Sequence, residues 1–178
     1  MEENKISVTI QFPPSKYKDT HSRELTDQLL EIITEFLDPL SDPSQDQQVL
    51  GWKTVYNNFR VTHLPMILPA IWHPGLSLVA QWKAEDMVAR DYFSHYTPEG
   101  WGPWDLARMA GITPPGFVAE CIAYGYREPW PLLEAYKASP THLQVLEDDR
   151  FTHHGTGHVG TPFTQPAHRW SMMWIGGI

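Results

Sequence analysis

Nine histidines and a single cysteine are the side chains of this chain best suited to chemistry near neutral pH. Three of the histidines, His153, His154 and His158, crowd into the Gly-rich stretch "THHGTGHVGTPF" (152–163). On an extended backbone successive side chains point to opposite faces, so His154, Thr156 and His158 share one face and His153 takes the other. Glycines at 155 and 157 argue against a helix that would stack two imidazoles one turn apart, so these read as surface or loop histidines rather than a metal site. Another histidine stands in "DYFSHYTPEG" (91–100), where His95 follows the aromatic pair Tyr92 and Phe93 and precedes a turn built from Pro98 and Gly100. Its plainest role is to place a ring at the end of a helix, where the dipole favours positive charge. Cys121 directly follows Glu120. A lone cysteine is more often a small buried apolar residue than a nucleophile, and it rules out an intrachain disulfide. For Glu120 the corresponding plain role is a carboxylate tied to backbone N–H groups of a neighbouring loop.

The elements that must position these residues follow from periodicity. "KISVTIQF" (5–12) alternates Ile6, Val8, Ile10 and Phe12 against Ser7, Thr9 and Gln11, the pattern of a half-buried strand, and Pro13 and Pro14 end it. "SRELTDQLLEIITEFLD" (22–38) spaces Leu25, Leu29, Ile32, Ile33 and Phe36 as one face of a helix, with Ser22 as its N-cap. The Pro-punctuated "PLSDPSQDQQ" (39–48) is a connector, which divides the chain into an extension over 1–48 and a main domain over 49–178. Helices are expected over 50–64, from Pro74 through "GLSLVAQWKAEDMVARD", over 102–111, over 128–139 and over 139–148. In the second of these, Leu78, Val79 or Ala80, Trp82, Met87 and Val88 form the apolar stripe. Ser139 and Pro140 are suited to open the last. The segments around 152–163 and 168–177 have strand length and read as a terminal hairpin. This order suggests an α+β fold, or a sheet between helical layers.

Composition narrows the function classes. A formal charge of -8, without a run of basic residues, argues against nucleic-acid binding, which relies on clustered Lys and Arg. No window has the apolar length of a membrane span, and the N-terminus lacks the charged and apolar regions of an export signal. The expected location is therefore cytoplasmic or within a particle such as a virion. Eight Trp and sixteen Pro suit a compact domain with rigid turns, in which the Trp-rich tail belongs to the core rather than to a ligand platform.

Taken in order, "YNNFR" (56–60), "LSLVAQWKAEDMVARDYFSHYTPEG" (76–100), "AECIAYG" (119–125), "SPTH" (139–142), "HGTGHV" (154–159) and "WSMMWIG" (170–176) resemble the blocks of the CAP superfamily. That superfamily comprises the cysteine-rich secretory proteins, antigen 5 and the plant pathogenesis-related proteins, also called SCP domains. The similarity is to its short, disulfide-poor bacterial type, over about residues 50–178. It implies a three-layer α-β-α sandwich whose cleft is lined by His and Glu side chains that often hold a divalent metal, commonly Zn²⁺. By this resemblance the cleft and metal-ligand residues are His95, Glu120 and His142. They are far apart in sequence and form no local metal motif by themselves. Ala119 and Cys121 depart from the family's flanking Gly and Asn, which weakens the hydrogen bonding expected around Glu120. Glu134 is only a loose counterpart of the family's second glutamate, and His158 matches the eukaryotic "GHFTQ" block by spelling alone.

Three functions are compatible with these readings, the first two through the resemblance and the third through the N-terminal extension that lies outside it. The first is a non-catalytic binding module whose cleft or rim recognises a lipid, a glycan or another surface component. The alternative is a metal-dependent hydrolase, with Zn²⁺ activating water and Glu120 as general base. The third is a component of a larger assembly, such as a virion or tail particle, docked on other protein chains through residues 1–48, with "KISVTIQF" adding to a partner's sheet edge.

Overall fold

The computed structural model describes residues 4–11, 45–112, 116–160 and 168–176. The helix expected over 22–38 lies outside them, as does the connector up to residue 44. In chain order the elements are β1 (Lys5–Gln11), α1 (Gln47–His63), β2 (Ile71–Trp72), α2 (Pro74–Ala89), α3 (Pro103–Met109), β3 (Phe117–Tyr124), α4 (Pro129–Ala138), α5 (Pro140–Glu147), β4 (Phe151–Val159) and β5 (Arg169–Gly176). The strands form one sheet in the order β1-β3-β5-β4-β2, antiparallel except where β2 runs parallel to β4.

Strand alternation splits the apolar side chains between two cores. Ala119, Cys121 and Ala123 of β3 join Trp170, Met172 and Trp174 of β5 on one face, beneath α1, α4 and α5. Val118 and Ile175 turn to the other face, against Leu76, Val79 and Ala80 of α2 and Trp104 and Leu106 of α3. The result is an α-β-α sandwich, in which β4 and β5 form the expected antiparallel hairpin and the tryptophans of the tail are core. Helix α1 begins at Gln47, earlier than the periodicity suggests, because the Asp46 carboxylate accepts from the Gln48 and Val49 N–H groups at 2.6 and 3.3 Å.

The stripe expected on α2 needs correction. Leu78 and Val88 are exposed, whereas Ser77, Gln81, Lys83 and Asp86 are buried. The cause lies in β2, which is only two residues long and pairs with His153 and His154. Past His154 the β4 edge has no neighbouring strand among the described residues, and buried backbone groups must still find partners. Helix α2 supplies them: Ser77 Oγ donates to the Thr156 carbonyl at 2.5 Å, Gln81 Nε2 donates to the His158 carbonyl at 3.1 Å, and the His158 N–H donates to Gln81 Oε1 at 3.0 Å. Such contacts require the helix backbone to reach the strand, which Gly155 and Gly157 permit. A Cβ at 157 would stand 2.1 Å from the Gln81 nitrogen.

The strand expected at the N-terminus forms, and it pairs within the chain. β1 lies antiparallel on β3 from Lys5 opposite Tyr124 to Gln11 opposite Val118. It therefore ends the sheet next to the strand that carries Glu120.

Gly157→Ala is expected to lower stability by roughly 3 kcal/mol or more, because backbone rather than a flexible side chain meets the new methyl. Urea unfolding followed by circular dichroism checks this. An unchanged midpoint would mean that α2 does not depend on the close approach.

Candidate functional site

Glu120 is fully buried at the middle of β3, and an unpaired carboxylate there would cost several kcal/mol. Both of its oxygens are paired. Ser171 Oγ, diagonal to it on β5, donates to Oε1 at 2.9 Å, and Oε2 meets His95 Nδ1 at 2.8 Å. His95 arrives on the loop after α2, and its other nitrogen, Nε2, lies 2.8 Å from Ser7 Oγ of β1. An ionised Glu120 accepts from Nδ1–H, so in the neutral ring Nε2 accepts the Ser7 hydroxyl proton. Neither plain role considered for these residues holds. His95 caps no helix, and Glu120 is tied to side chains rather than to backbone N–H groups.

His142 reaches the same strand from the other helical layer. Its ring stacks on Tyr136 with centroids 4.8 Å apart, and Nδ1 lies 2.7 Å from Ser139 Oγ. That contact occupies the hydroxyl that would otherwise cap α5, where Ser139 holds the N-cap position without a side-chain cap. Burial and then the nearby His95 push the His142 pKa down, while the Ser7 main chain beside the ring pulls it up. No well-formed hydrogen bond results, and the buried Nε2 is left without a partner. Ser7 thus touches His95 through its hydroxyl and lies against His142 through its backbone. Glu120 and His95 are in direct contact; His142 meets them across β1.

With β1 in place the donor set does not suit a divalent ion. Both Glu120 oxygens and both His95 nitrogens are engaged, which leaves only His142 Nε2. Among the described residues no group of three His, Cys, Asp or Glu side chains is placed to hold a metal.

A second network, unforeseen in the sequence, flanks Glu120. Lys83 is buried and donates to Tyr92 Oη at 2.9 Å; Tyr92 Oη in turn donates to Asp86 Oδ2. Arg90 grips Asp86 with two bonds of 2.7 Å and also pairs with Glu99. Burial lowers the Lys83 pKa, opposed by the charges of Glu120 and Asp86. Burial likewise raises that of Tyr92, reinforced by its bond to Asp86. The sequence offers one sign of this network: Lys83 interrupts an apolar run.

The remaining candidates lie elsewhere. Glu134 forms a solvent-exposed pair with Lys137 at 2.8 Å. Cys121 points into the core, its thiol pKa pushed up chiefly by burial. His158 is buried between Asp46 and His168, at 3.0 and 2.9 Å, and His153 contacts Thr152. His154 is neither a surface nor a loop residue. It is fully buried against Tyr56 and Trp72 with both ring nitrogens unpartnered, and burial followed by the charges of Arg60 and Lys53 pulls its pKa down to about 3.

An α-β-α sandwich with a buried glutamate paired to a half-buried histidine near one end of the sheet defines a class, and comparison with known proteins gives it a name. The model of the cysteine-rich secretory protein family, CAP, matches residues 54–174, and the chain belongs to that family. A curated relative, the uncharacterized protein YkwD of Bacillus subtilis, is 34% identical over 92 residues, which is 51% of this chain and 35% of that protein. The chain thus spans about a third of the curated relative's length. Among solved structures, an extracellular protein containing an SCP domain from Bacillus anthracis superposes with a TM-score of 0.64 at 20% identity, covering 79% of this chain and 45% of that one. An outer surface protein of Borrelia burgdorferi gives 0.64 at 16% identity over 75% of this chain and 97% of its own. At these identities the likeness concerns the fold.

Two outcomes follow from the buried groups. Glu120→Ala leaves Ser171 and His95 unpaired and should cost about 3 kcal/mol or more, whereas Glu120→Gln keeps an acceptor and a donor in place and should cost about 1. Equal losses in chemical denaturation would show that the charge rather than the bonding pattern matters. For His154 the native ring stays neutral while the unfolded ring protonates below its ordinary pKa of 6.5. Stability should therefore fall as pH drops from 6.5 towards 3, by at most about 1.4 kcal/mol per unit from this residue. His154→Leu should flatten that slope in denaturation measured across the window.

Proposed function

We propose that this chain is a non-catalytic CAP-domain binding module whose recognition surface is the His95, Glu120 and His142 cleft. The observation that carries this reading is the full engagement of Glu120 and His95. A general base needs a carboxylate oxygen free to take a proton from water, and a Lewis-acid site needs converging lone pairs. Here those atoms bind the fold together, and what lies over them is a half-buried strand. The two structural relatives described as an extracellular and an outer surface protein support a role in recognising a surface component such as a lipid or glycan. No helix among the described residues is long and apolar enough to cross a membrane.

Docking in a larger assembly through residues 1–48 is a second reading, with a virion or tail particle as one setting. It is supported by β1 being the terminal strand, since its outer edge has no partner among the described strands.

Binding to lipid vesicles and to glycan arrays, measured with and without EDTA, tests the first reading. Affinity should survive the chelator and Glu120→Gln, and His142→Ala should weaken it about tenfold. Hydrolysis of ester or peptide substrates that EDTA and Glu120→Gln both abolish would instead support the metal-dependent hydrolase.

A further inference from the structure

β1 lies along the β3 edge, between His95 and His142, as an added strand would. Its main chain follows the edge of β3 through seven register pairs, yet from Lys5 to Thr9 no side chain is buried: Lys5 is exposed and the next four are half-buried. Ile6 and Val8 rest against the core on one face. On the other, Ser7 delivers one hydroxyl to His95 Nε2, while His142, stacked on Tyr136 in the layer that Ile6 and Val8 face, lies against the Ser7 backbone. A ladder of this kind is made by main-chain groups that any extended peptide carries; alternate side chains add selectivity. Residues 12–44 separate β1 from the next described segment. The strand is thus held in place largely by generic contacts.

We propose that the β3 edge flanked by His95 and His142 is a binding site for an extended peptide segment of another protein, and that β1 is its resident competitor. The preferred segment alternates apolar residues on the Cys121 side with a Ser or Thr on the His95 side, as β1 itself does. This rests on the cleft being a recognition site, and it names the ligand class.

The test uses the full chain and a fluorescent peptide of residues 4–11, NKISVTIQ. Ile6→Asp combined with Val8→Asp removes the apolar hold of β1 and should raise affinity for the peptide at least tenfold over the unaltered chain. Replacing the peptide's serine by alanine should weaken binding about fivefold, the worth of one hydrogen bond. A second variant covers the case in which the first fails to fold. Val8 stands opposite Cys121 in the register, so Val8→Cys places two thiols on facing strands. The oxidised form, with β1 locked, should exclude the peptide that the reduced form admits. Equal peptide binding by the two redox forms, or none by a folded Ile6→Asp/Val8→Asp chain, overturns the proposal. Vesicle and glycan binding measured on the same samples separates the two readings. If it persists while the peptide is refused, only the peptide site falls; if peptide binding persists alone, the lipid or glycan reading falls.

Discussion

A carboxylate buried midway along an inner strand has to be satisfied, and much of this molecule's local structure follows from how Glu120 is satisfied. The chain of bonds runs from Ser171 on β5 to Glu120 on β3, on to His95 in the loop after α2, and then to Ser7 on β1. One ionisable group thereby connects three strands and a loop that are distant in sequence. Removing a member leaves the next one buried and unpaired, which costs more than the bond itself contributed. That asymmetry gives the network its rigidity.

The same requirement explains the substitutions beside Glu120. Ala119 and Cys121, where the resemblance led to Gly and Asn, both face the core of tryptophans and aliphatics and are fully buried. An amide at 121 would need partners in that apolar layer. With a thiol there instead, Glu120 takes its hydrogen bonds from Ser171 and His95, so the weakened bonding expected from these departures is made good by residues outside the motif.

Among the described residues, periodicity predicted the helices closely, four of the five opening on Pro, and alternation located the N-terminal strand, while the terminal hairpin was legible from its strand-length Gly-rich and aromatic segments. It misjudged the buried face of α2. That face is polar because it stands in for the strand that β2 is too short to be, a tertiary demand no local window contains. Glu120 and His95 could be singled out only through the family blocks. Ser171 and Ser7 had no local signal at all, since a serine on a strand looks like any other polar residue until the register places it diagonal to a carboxylate. His154 shows the reverse failure. Alternation put it on one face with Thr156 and His158, but could not tell that this face is core.

His95 and His142 approach β1 from opposite helical layers, and this shapes the recognition surface. An imidazole on each side of one strand reads that strand's hydroxyl and backbone, whereas two imidazoles facing each other across open space would present lone pairs to an ion. Ser7 makes the difference between these arrangements. While it occupies His95 Nε2, the site is suited to a polypeptide edge, and His142 Nε2 is the side-chain polar atom of the three residues that has no hydrogen-bond partner. A ligand that satisfied this nitrogen as well as the His95 ring would gain a hydrogen bond that β1 does not make, and so would have a chemical basis for displacing it.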